Sequence, residues 1–289
     1  MNGLLIVNNY VTSDKFYTLY NMFLNSAKKL NINLSLKKSG EILHNLDCVK
    51  SLNYDFILFY DKDILLAKML EDSGFKVFNS ALSIFNCDNK CFTYNVLQNA
   101  NINIPKTFVA PKTFENLGYN NIEYIDEITK IIEYPLVLKE AYGSFGRQVY
   151  LINNRNELLE KIKELKSKEF LLQEFISNSS GRDVRINIVN NKVVASMLRY
   201  SVTGDFRSNI TNGGHMKQIT PLNSQIEEAL KAVKALKLDF AGVDVLFGEN
   251  NKPIICEVNS NPHFKSVFDC TGVDLSYEIL KYIKEKLTC

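Results

Sequence analysis

Two short runs, LLIV at residues 4–7 and FILFY at residues 56–60, are apolar at every position. A half-buried strand alternates apolar and polar residues, whereas a strand covered on both faces does not. Both runs therefore predict strands of a sheet with helices on its two faces. SDKFYTLYNMFLNSAKKLN, from residue 13, sets Phe16, Leu19, Tyr20, Phe23, Leu24 and Ala27 at helical spacing, with Ser13 and Asp14 as caps. DILLAKMLEDSG reads as a second helix and KVFN as a third strand. Strand, helix, strand, helix, strand predicts a small doubly wound α/β domain over residues 1–86.

The pattern then changes. CDNKCFTYNVLQNANIN predicts a capped helix with Asp88 near the cap, and Pro105 marks a boundary. Residues 105–170 read as strands plus a helix from Asn156 to Lys166. From FLLQEFI onward the strands look antiparallel, in VRINIVNN and KVVASMLRYS. SQIEEALKAVKAL lies among them as a helix, and VDLSYEILKYIKEKL closes the chain as another. The expected division is 1–86, 87–172 and 173–289.

One of the expected hairpins carries unusual residues. In AGVDVLFGENNKPIICEVNSNPHF, residues 241–264, side chains alternate between faces. Val243, Val245 and Phe247 share one face, and Asp244 and Leu246 the other. Ile255, Glu257 and Asn259 share a face on the second strand. A turn centred on GENNKP pairs Phe247 with Ile254 and sets Asp244 opposite Glu257. Like charges directly opposed are destabilising unless something positive sits between them. A hard divalent cation such as Mg²⁺ answers that, because it prefers carboxylate and amide oxygens and keeps waters and phosphates as its other ligands. The plain alternative is a polar hairpin face in water.

YPLVLKEAYGSFGRQVYLI adds a second signal. Lys139 follows an apolar run that should be buried, so it needs an anionic partner. The loop Gly143-Ser144-Phe145-Gly146 can bring backbone N–H groups to phosphates, though an ordinary hairpin turn has the same composition. No Gly-Lys-Ser/Thr follows and no helix starts there, which excludes a Walker A loop and a dinucleotide fingerprint.

Taken together, these segments resemble the ATP-grasp superfamily, and within it the RimK-type carboxylate–amine ligases, from about residue 85 to 265. DNKCFTYNVLQNANINIPKT is similar to the helix with the first ATP-binding lysine, here Lys90. YPLVLKEAYGSFGRQV is similar to the strand with the second, Lys139, and to the glycine lid with Gly143, Ser144 and Gly146. LLQEFI resembles the adenine-holding hinge, Gln173, Glu174, Phe175 and Ile176. GRDVRINIVNNKVVASMLR and GDFRSNITNGG resemble the RimK pattern. The hairpin resembles the metal-binding strands, with Asp244, Glu257 and Asn259 as ligands.

The resemblance implies an ATP-grasp fold of the α/β (α+β) class behind a small doubly wound domain. It implies ATP with one or two Mg²⁺ ions, or Mn²⁺ in their place. It implies amide-bond formation through an acyl phosphate, with an amino acid such as glutamate or a peptide as substrate, or a protein C-terminus as acceptor. Lys90 and Lys139 would sit on the α- and β-phosphates. Arg199 and Arg207 would serve the γ-phosphate and the developing oxyanion, with Asn209 a further phosphate or metal contact. Arg185 adds fixed charge, and Asp183 contacts ribose or else pairs with Arg185. Asp61, Lys62 and Asp63 end an apolar strand, where such sheets hold ligands; a helix N-terminus and turn is the favoured reading. The chain departs from the family at Gln148, where relatives carry glycine, and at His263-Phe264-Lys265, where they carry small residues. That second stretch borders the acceptor side.

Bulk properties fit. The chain has 289 residues, 46% hydrophobic and 23% charged, with a net charge of +2 and no basic block, so nucleic acid is not an expected partner. The N-terminus lacks a basic leader and no run reaches the ~18 apolar residues of a membrane helix. The six cysteines are scattered, and Cys87 and Cys91 have no second pair to complete a zinc site. Reduced thiols, a cytoplasmic location and a dimer or tetramer are expected. Competing activities are a small-molecule kinase of the same fold and a non-catalytic ATP-binding regulator.

Overall fold

The structure is a computed structural model that describes residues 1–208 and 213–288. The first sheet contains β1 (Asn2–Val7), β2 (Asn33–Lys38), β3 (Phe56–Tyr60) and β4 (Val77–Phe78), all parallel in the order β2-β1-β3-β4. Every residue of β3 is buried, as its continuous apolar run requires. Around the sheet lie α1 (Asp14–Lys29), α2 (Leu46–Lys50), α3 (Ile64–Asp72) and α4 (Ala81–Asp88). The sequence reading missed β2. NLSLKK is an edge strand with no fully buried position, so it shows no apolar run.

Helix α5 (Lys90–Asn99) starts the next part of the chain. Its cap is Asn89, whose side chain accepts from the N–H groups of Cys91 and Phe92; Asp88 instead ends α4. The cap is thus the residue after Asp88, and an Asn in this position caps as well as an Asp. The second sheet holds β5 (Thr107–Val109), β6 (Leu136–Glu140), β7 (Val149–Ile152) and β8 (Phe170–Glu174), antiparallel in the order β5-β8-β6-β7. Helices α6 (Glu123–Thr129) and α7 (Arg155–Leu165) cover it with Ile125, Leu158 and Ile162. Helix α6 is one that the sequence reading did not anticipate.

The third sheet contains β9 (Arg182–Val189), β10 (Lys192–Tyr200), β11 (His215–Gln218), β12 (Phe240–Phe247) and β13 (Pro253–Asn259), in the order β11-β10-β9-β12-β13. Helix α8 (Asn223–Ala235) packs Ala229, Ala232 and Val233 on one face of it. Helices α9 (Lys265–Thr271) and α10 (Leu275–Thr288) pack against the other end.

The first and third sheets share a core. Phe23 of α1 lies 5.0 Å from Tyr60 and 5.3 Å from Phe264, ring centre to ring centre, and Phe240 and Ile279 belong to the same cluster. Each fully buried Phe in such a cluster contributes about 1.5–3 kcal/mol. Phe264 therefore belongs to this core and does not line the acceptor side as expected. Asn79, fully buried, ties the two sheets by donating to the carbonyls of Phe240 at 3.0 Å and Ser260 at 2.8 Å. These contacts fix the first domain against the strand ends that carry the site.

Candidate active site

The hairpin of residues 241–264 folds with Asp244 opposite Glu257, as expected. It differs at its outer end. A bulge lies between Asp244 and Val245, so Phe247 pairs with Pro253 instead of Ile254. The extra residue also breaks the alternation on β13. Ile255 turns into the core with Val258, while neighbouring Cys256 and Glu257 both face the cleft. Bulges re-aim side chains in this way, and sequence periodicity cannot show them.

Asp244 is one rung of a charge ladder across three strands. Arg185 on β9 sits beside Asp244 on β12, and Asp183 on β9 sits beside Arg199 on β10. Arg185 binds Asp244 through both Nε and a terminal nitrogen, the latter at 2.9 Å. Arg199 binds Asp183 at 2.7 and 2.5 Å and also reaches Asp244 at 2.8 Å. Ser208 donates to Asp183 at 2.7 Å. All four charged groups are buried. Burial alone would raise Asp244, but the Arg185 and Arg199 guanidiniums hold it below the usual carboxylate range. The expected pairing of Asp183 with Arg185 is corrected: register puts Arg199 there.

Beside this ladder is a cleft bordered by Lys90, Lys139, Phe175, Asp183 and Glu257. Lys139, 6% exposed, donates to the Tyr94 hydroxyl at 2.9 Å and lies 3.8 Å from the Cys256 sulfur. Burial opposes its charge; Cys256, Tyr94 and Glu257 favour it and hold it above the ordinary lysine value. Tyr94 in turn donates to the Cys256 carbonyl. Lys90, 8% exposed, donates to the Gly143 carbonyl at 3.0 Å and stands 4.0 Å from Glu257. Burial lowers its pKa, Glu257 works against that, and Lys139 adds to it. Two buried ammonium groups in one cleft call for an anion beyond Glu257. Gln173 bonds Thr107 at 2.7 Å and Glu174 accepts from the Lys106 N–H at 2.8 Å, so their side chains are held in place while the chain from Glu174 to Ile176 borders the cleft.

The glycine loop lies between β6 and β7 and bridges to the first domain. Phe145 and Gly146 both have positive φ, 58° and 70°, a conformation natural only for the glycine. The Gln148 side chain occupies the space beside Gly143, where an added Cβ would lie 2.5 Å from its Oε1, and it accepts from the Ser144 N–H at 3.3 Å. Arg207 donates to the Gly146 carbonyl at 2.9 Å and pairs with Asp205 at 2.9 Å. It borders the cleft but its charge is already partnered. The Phe145 ring packs edge-on to Phe16 and His263, both 6.4 Å away, with the Lys15 ammonium 3.6 Å from its centre. Asn209 lies outside the described residues.

Could these residues hold Mg²⁺? Among the described residues no three His, Cys, Asp or Glu side chains are grouped to hold a metal by themselves. Mg²⁺ keeps waters and phosphate oxygens as ligands and needs few from the protein. Glu257 and Asn259 face the same cavity. Among the described residues Asp244 Oδ1 has one hydrogen-bond partner, so it retains a lone pair. The hard-oxygen donor set fits.

A second cavity of about 510 Å³ meets the cleft at Arg199 and Glu257. It is lined from the first domain by Lys15, Tyr20, Tyr60 and Asp61, and from beyond β13 by Asn261 and His263. Of the stretch read as a turn, Asp63 does cap α3, accepting from the Leu66 N–H at 3.0 Å, and Lys62 pairs with Asp88 at 2.5 Å. Asp61 is different: it is buried and faces the cavity. Sequence reasoning missed Lys15, Tyr20 and Asn261. The helical spacing of α1 puts Tyr20 on its core face, which hid it among core residues; Lys15 carries no signal of its own.

The RimK-like ATP-grasp domain matches residues 87–283. The chain belongs to the RimK-like ATP-grasp family. It is 34% identical over 240 residues to an uncharacterized protein, the MG012 homolog, of Mycoplasma pneumoniae, covering 82% of this chain and 83% of that protein. It is 31% identical over 256 residues to a probable alpha-L-glutamate ligase of Maridesulfovibrio salexigens, covering 88% of this chain and 81% of that one. In fold it is similar to the D-alanine–D-alanine ligase of Bacillus anthracis solved with ATP, at 19% identity and a TM-score of 0.75, covering 100% and 97% of the two chains. Family membership makes it an ATP-dependent ligase with an ATP-grasp fold. Among the described residues no helix is long and apolar enough to cross a membrane.

Proposed function

We propose that this RimK-like protein joins a carboxylate to an amine through an acyl phosphate, with an amino acid such as glutamate as one substrate. The observation that carries the reading is the meeting of the two cavities at Arg199 and Glu257. One has two buried lysines, as polyphosphate requires; the other is large enough for small organic substrates. Their junction is where a γ-phosphoryl group would pass from one to the other. Likeness to a probable alpha-L-glutamate ligase supports glutamate.

In the first step a carboxylate oxygen attacks the γ-phosphorus, the bond to the bridging oxygen breaks, and ADP leaves. In the second the amine nitrogen attacks the acyl carbon, the carbon–oxygen bond to phosphate breaks, and the amine loses a proton. Lys90 and Lys139 neutralise phosphate charge, and the ladder arginines offer their remaining N–H donors to the transferring group. Loop 143–146 excludes water, which would otherwise hydrolyse the acyl phosphate. Asp244, Glu257 and Asn259 would hold Mg²⁺, which neutralises charge on the β- and γ-phosphates when bound.

The test is Mg²⁺-dependent release of ADP and phosphate against amino acids offered singly and in pairs. Release is expected to need two specific compounds and to yield an amide. In Glu257→Gln it should fall about 10²–10³-fold, the loss typical of one electrostatic contact to a transition state. A stable phosphoester product in place of an amide would instead make the protein a kinase, and full activity in Glu257→Gln would remove that residue from the site.

A further inference from the structure

Three polar atoms at the substrate cavity have no hydrogen-bond partner among the described residues, although each is buried: Asp61 Oδ2, Asn261 Oδ1 and His263 Nε2. Buried polar groups are nearly always partnered, so three on one cavity wall call for an explanation. The geometry around Asp61 supplies one. Its Oδ1 is saturated, accepting from Asn8 at 2.9 Å and from the Lys62 N–H at 2.7 Å. Its Oδ2 is left bare. The residue is 5% exposed, so bulk water hardly solvates its carboxylate, though the residue borders the cavity. The side-chain nitrogen of Asn261 donates to the Asp61 carbonyl at 2.8 Å, which orients that amide and leaves its oxygen without a partner among the described residues.

His263 completes the wall. Burial, and then the charge of Lys15, lower its pKa to about 4. At neutral pH the ring is therefore uncharged and has a lone pair on one nitrogen. No Arg or Lys is paired with Asp61 among the described residues; Lys62 turns away to Asp88, and Lys265 turns to Asp269. What remains is a carboxylate oxygen, an amide oxygen and a neutral imidazole, the complement of a group with three N–H donors and one positive charge.

We infer that Asp61, Asn261 and His263 form a cage for the ammonium group of an amino-acid substrate, and that Asp61 Oδ2 is its charged anchor. The cage starts two residues beyond Asn259 and so sits next to the phosphoryl-transfer end of the cavity. A small amino acid spans the two, with its ammonium in the cage and its carboxylate towards Arg185. Lys15, which has no ion-pair partner among the described residues, lines the same cavity and suits a second, side-chain carboxylate. Unlike the ladder, whose charges are partnered by the protein, the cage is completed only by the ligand. This inference rests on the ligase reading for the identity of the neighbouring cavity.

The test is the melting temperature of the full chain with Mg²⁺ and the non-hydrolysable analogue AMPPNP. Each of the standard L-amino acids is then added, in parallel with its deamino acid, glutarate for glutamate being one pair. At least one amino acid should raise the melting temperature, and its deamino counterpart should not. Asp61→Asn, which keeps shape and removes charge, should weaken that amino acid at least about 30-fold by titration while AMPPNP binds as before. Equal binding of an amino acid and its deamino form overturns the cage, as does a wild-type protein that AMPPNP stabilises and no amino acid does. If AMPPNP fails to stabilise the wild type, the ligase reading falls, and amino-acid binding without nucleotide then decides the cage by itself. Should Asp61→Asn fail to fold, the comparison of amino and deamino acids on the wild type is sufficient.

Discussion

The two sheets that meet at the substrate cavity treat buried charge in opposite ways. The antiparallel sheet pairs its own: Arg199, Asp183, Arg185 and Asp244 satisfy one another across β10, β9 and β12. The parallel sheet leaves Asp61 at the end of β3 half satisfied, beside an equally bare Asn261. The first arrangement is rigid before any ligand arrives, which suits a site that must stabilise phosphoryl transfer without rearranging. The second gains its missing partner only on binding, which suits selection between substrates. The difference teaches that a self-paired charge network and an unpaired carboxylate can border one cavity when two sheets are joined there, here through Tyr60, whose hydroxyl donates to the Pro262 carbonyl at 2.5 Å, and through Asn79.

The ladder gives the largest expected effect on stability. Asp244→Asn removes the charge that two buried guanidiniums share, leaving Asp183 to Arg199 and no carboxylate to Arg185. Breaking a buried pair from one side costs about 3–5 kcal/mol. Urea unfolding measures it. A loss below about 1 kcal/mol, the range of an exposed pair, would mean that water already screens the ladder and that it is no more rigid than the cage.

The next effect concerns pH and sharpens the contrast at the cavity wall. Burial and Lys15 lower His263 to about 4, below the usual value near 6.5. Between those values the unfolded chain binds a proton that the native ring does not. Stability from this group is therefore whole above pH ~6.5, falls as pH drops, and levels off below about 4. The ring is partly exposed to water, which screens it and leaves an effect of about 2 kcal/mol. His263→Gln should flatten the stability profile by that amount within this window, measured as the difference in slope between variant and wild type. Parallel profiles would show that His263 titrates normally and that the wall is wet.

Much of the ligand-facing half was legible because its signals are local. Asp244 and Glu257 stand out as carboxylates in an otherwise apolar hairpin, and Lys139 stands out at the end of an apolar run. The continuous apolar character of β3 gave the parallel sheet. What the sequence hid is non-local or irregular. The bulge that turns Cys256 and Glu257 to the same side leaves no mark on alternation. The partner of Asp183 depends on register between β9 and β10, which the residues permit in more than one way. Asp61 reads like an ordinary residue before a helix until the neighbouring sheet brings Asn261 to its carbonyl. Edge strand β2 and helix α6 are short and partly exposed, so neither shows a strong periodicity.

The smallest effect lies where the two regions touch. Phe145, at the tip of the glycine loop, is the lid residue that packs on Phe16 and His263 and stacks beneath Lys15. It thereby ties the glycine loop to the wall of the second cavity. Phe145→Ala keeps the loop backbone, held by Lys90 at Gly143 and Arg207 at Gly146, but cuts that tie. Aromatic contacts of this kind are worth about 0.5–1.5 kcal/mol beyond area, so the rate should fall about tenfold or less. The more telling measure is the ratio of amide formed to ADP released. A lid no longer latched to the substrate wall admits water to the acyl phosphate, so ADP should exceed amide in the variant and match it in the wild type. Equal amounts in both would mean that closure is set by the backbone contacts alone, and that the two regions act independently.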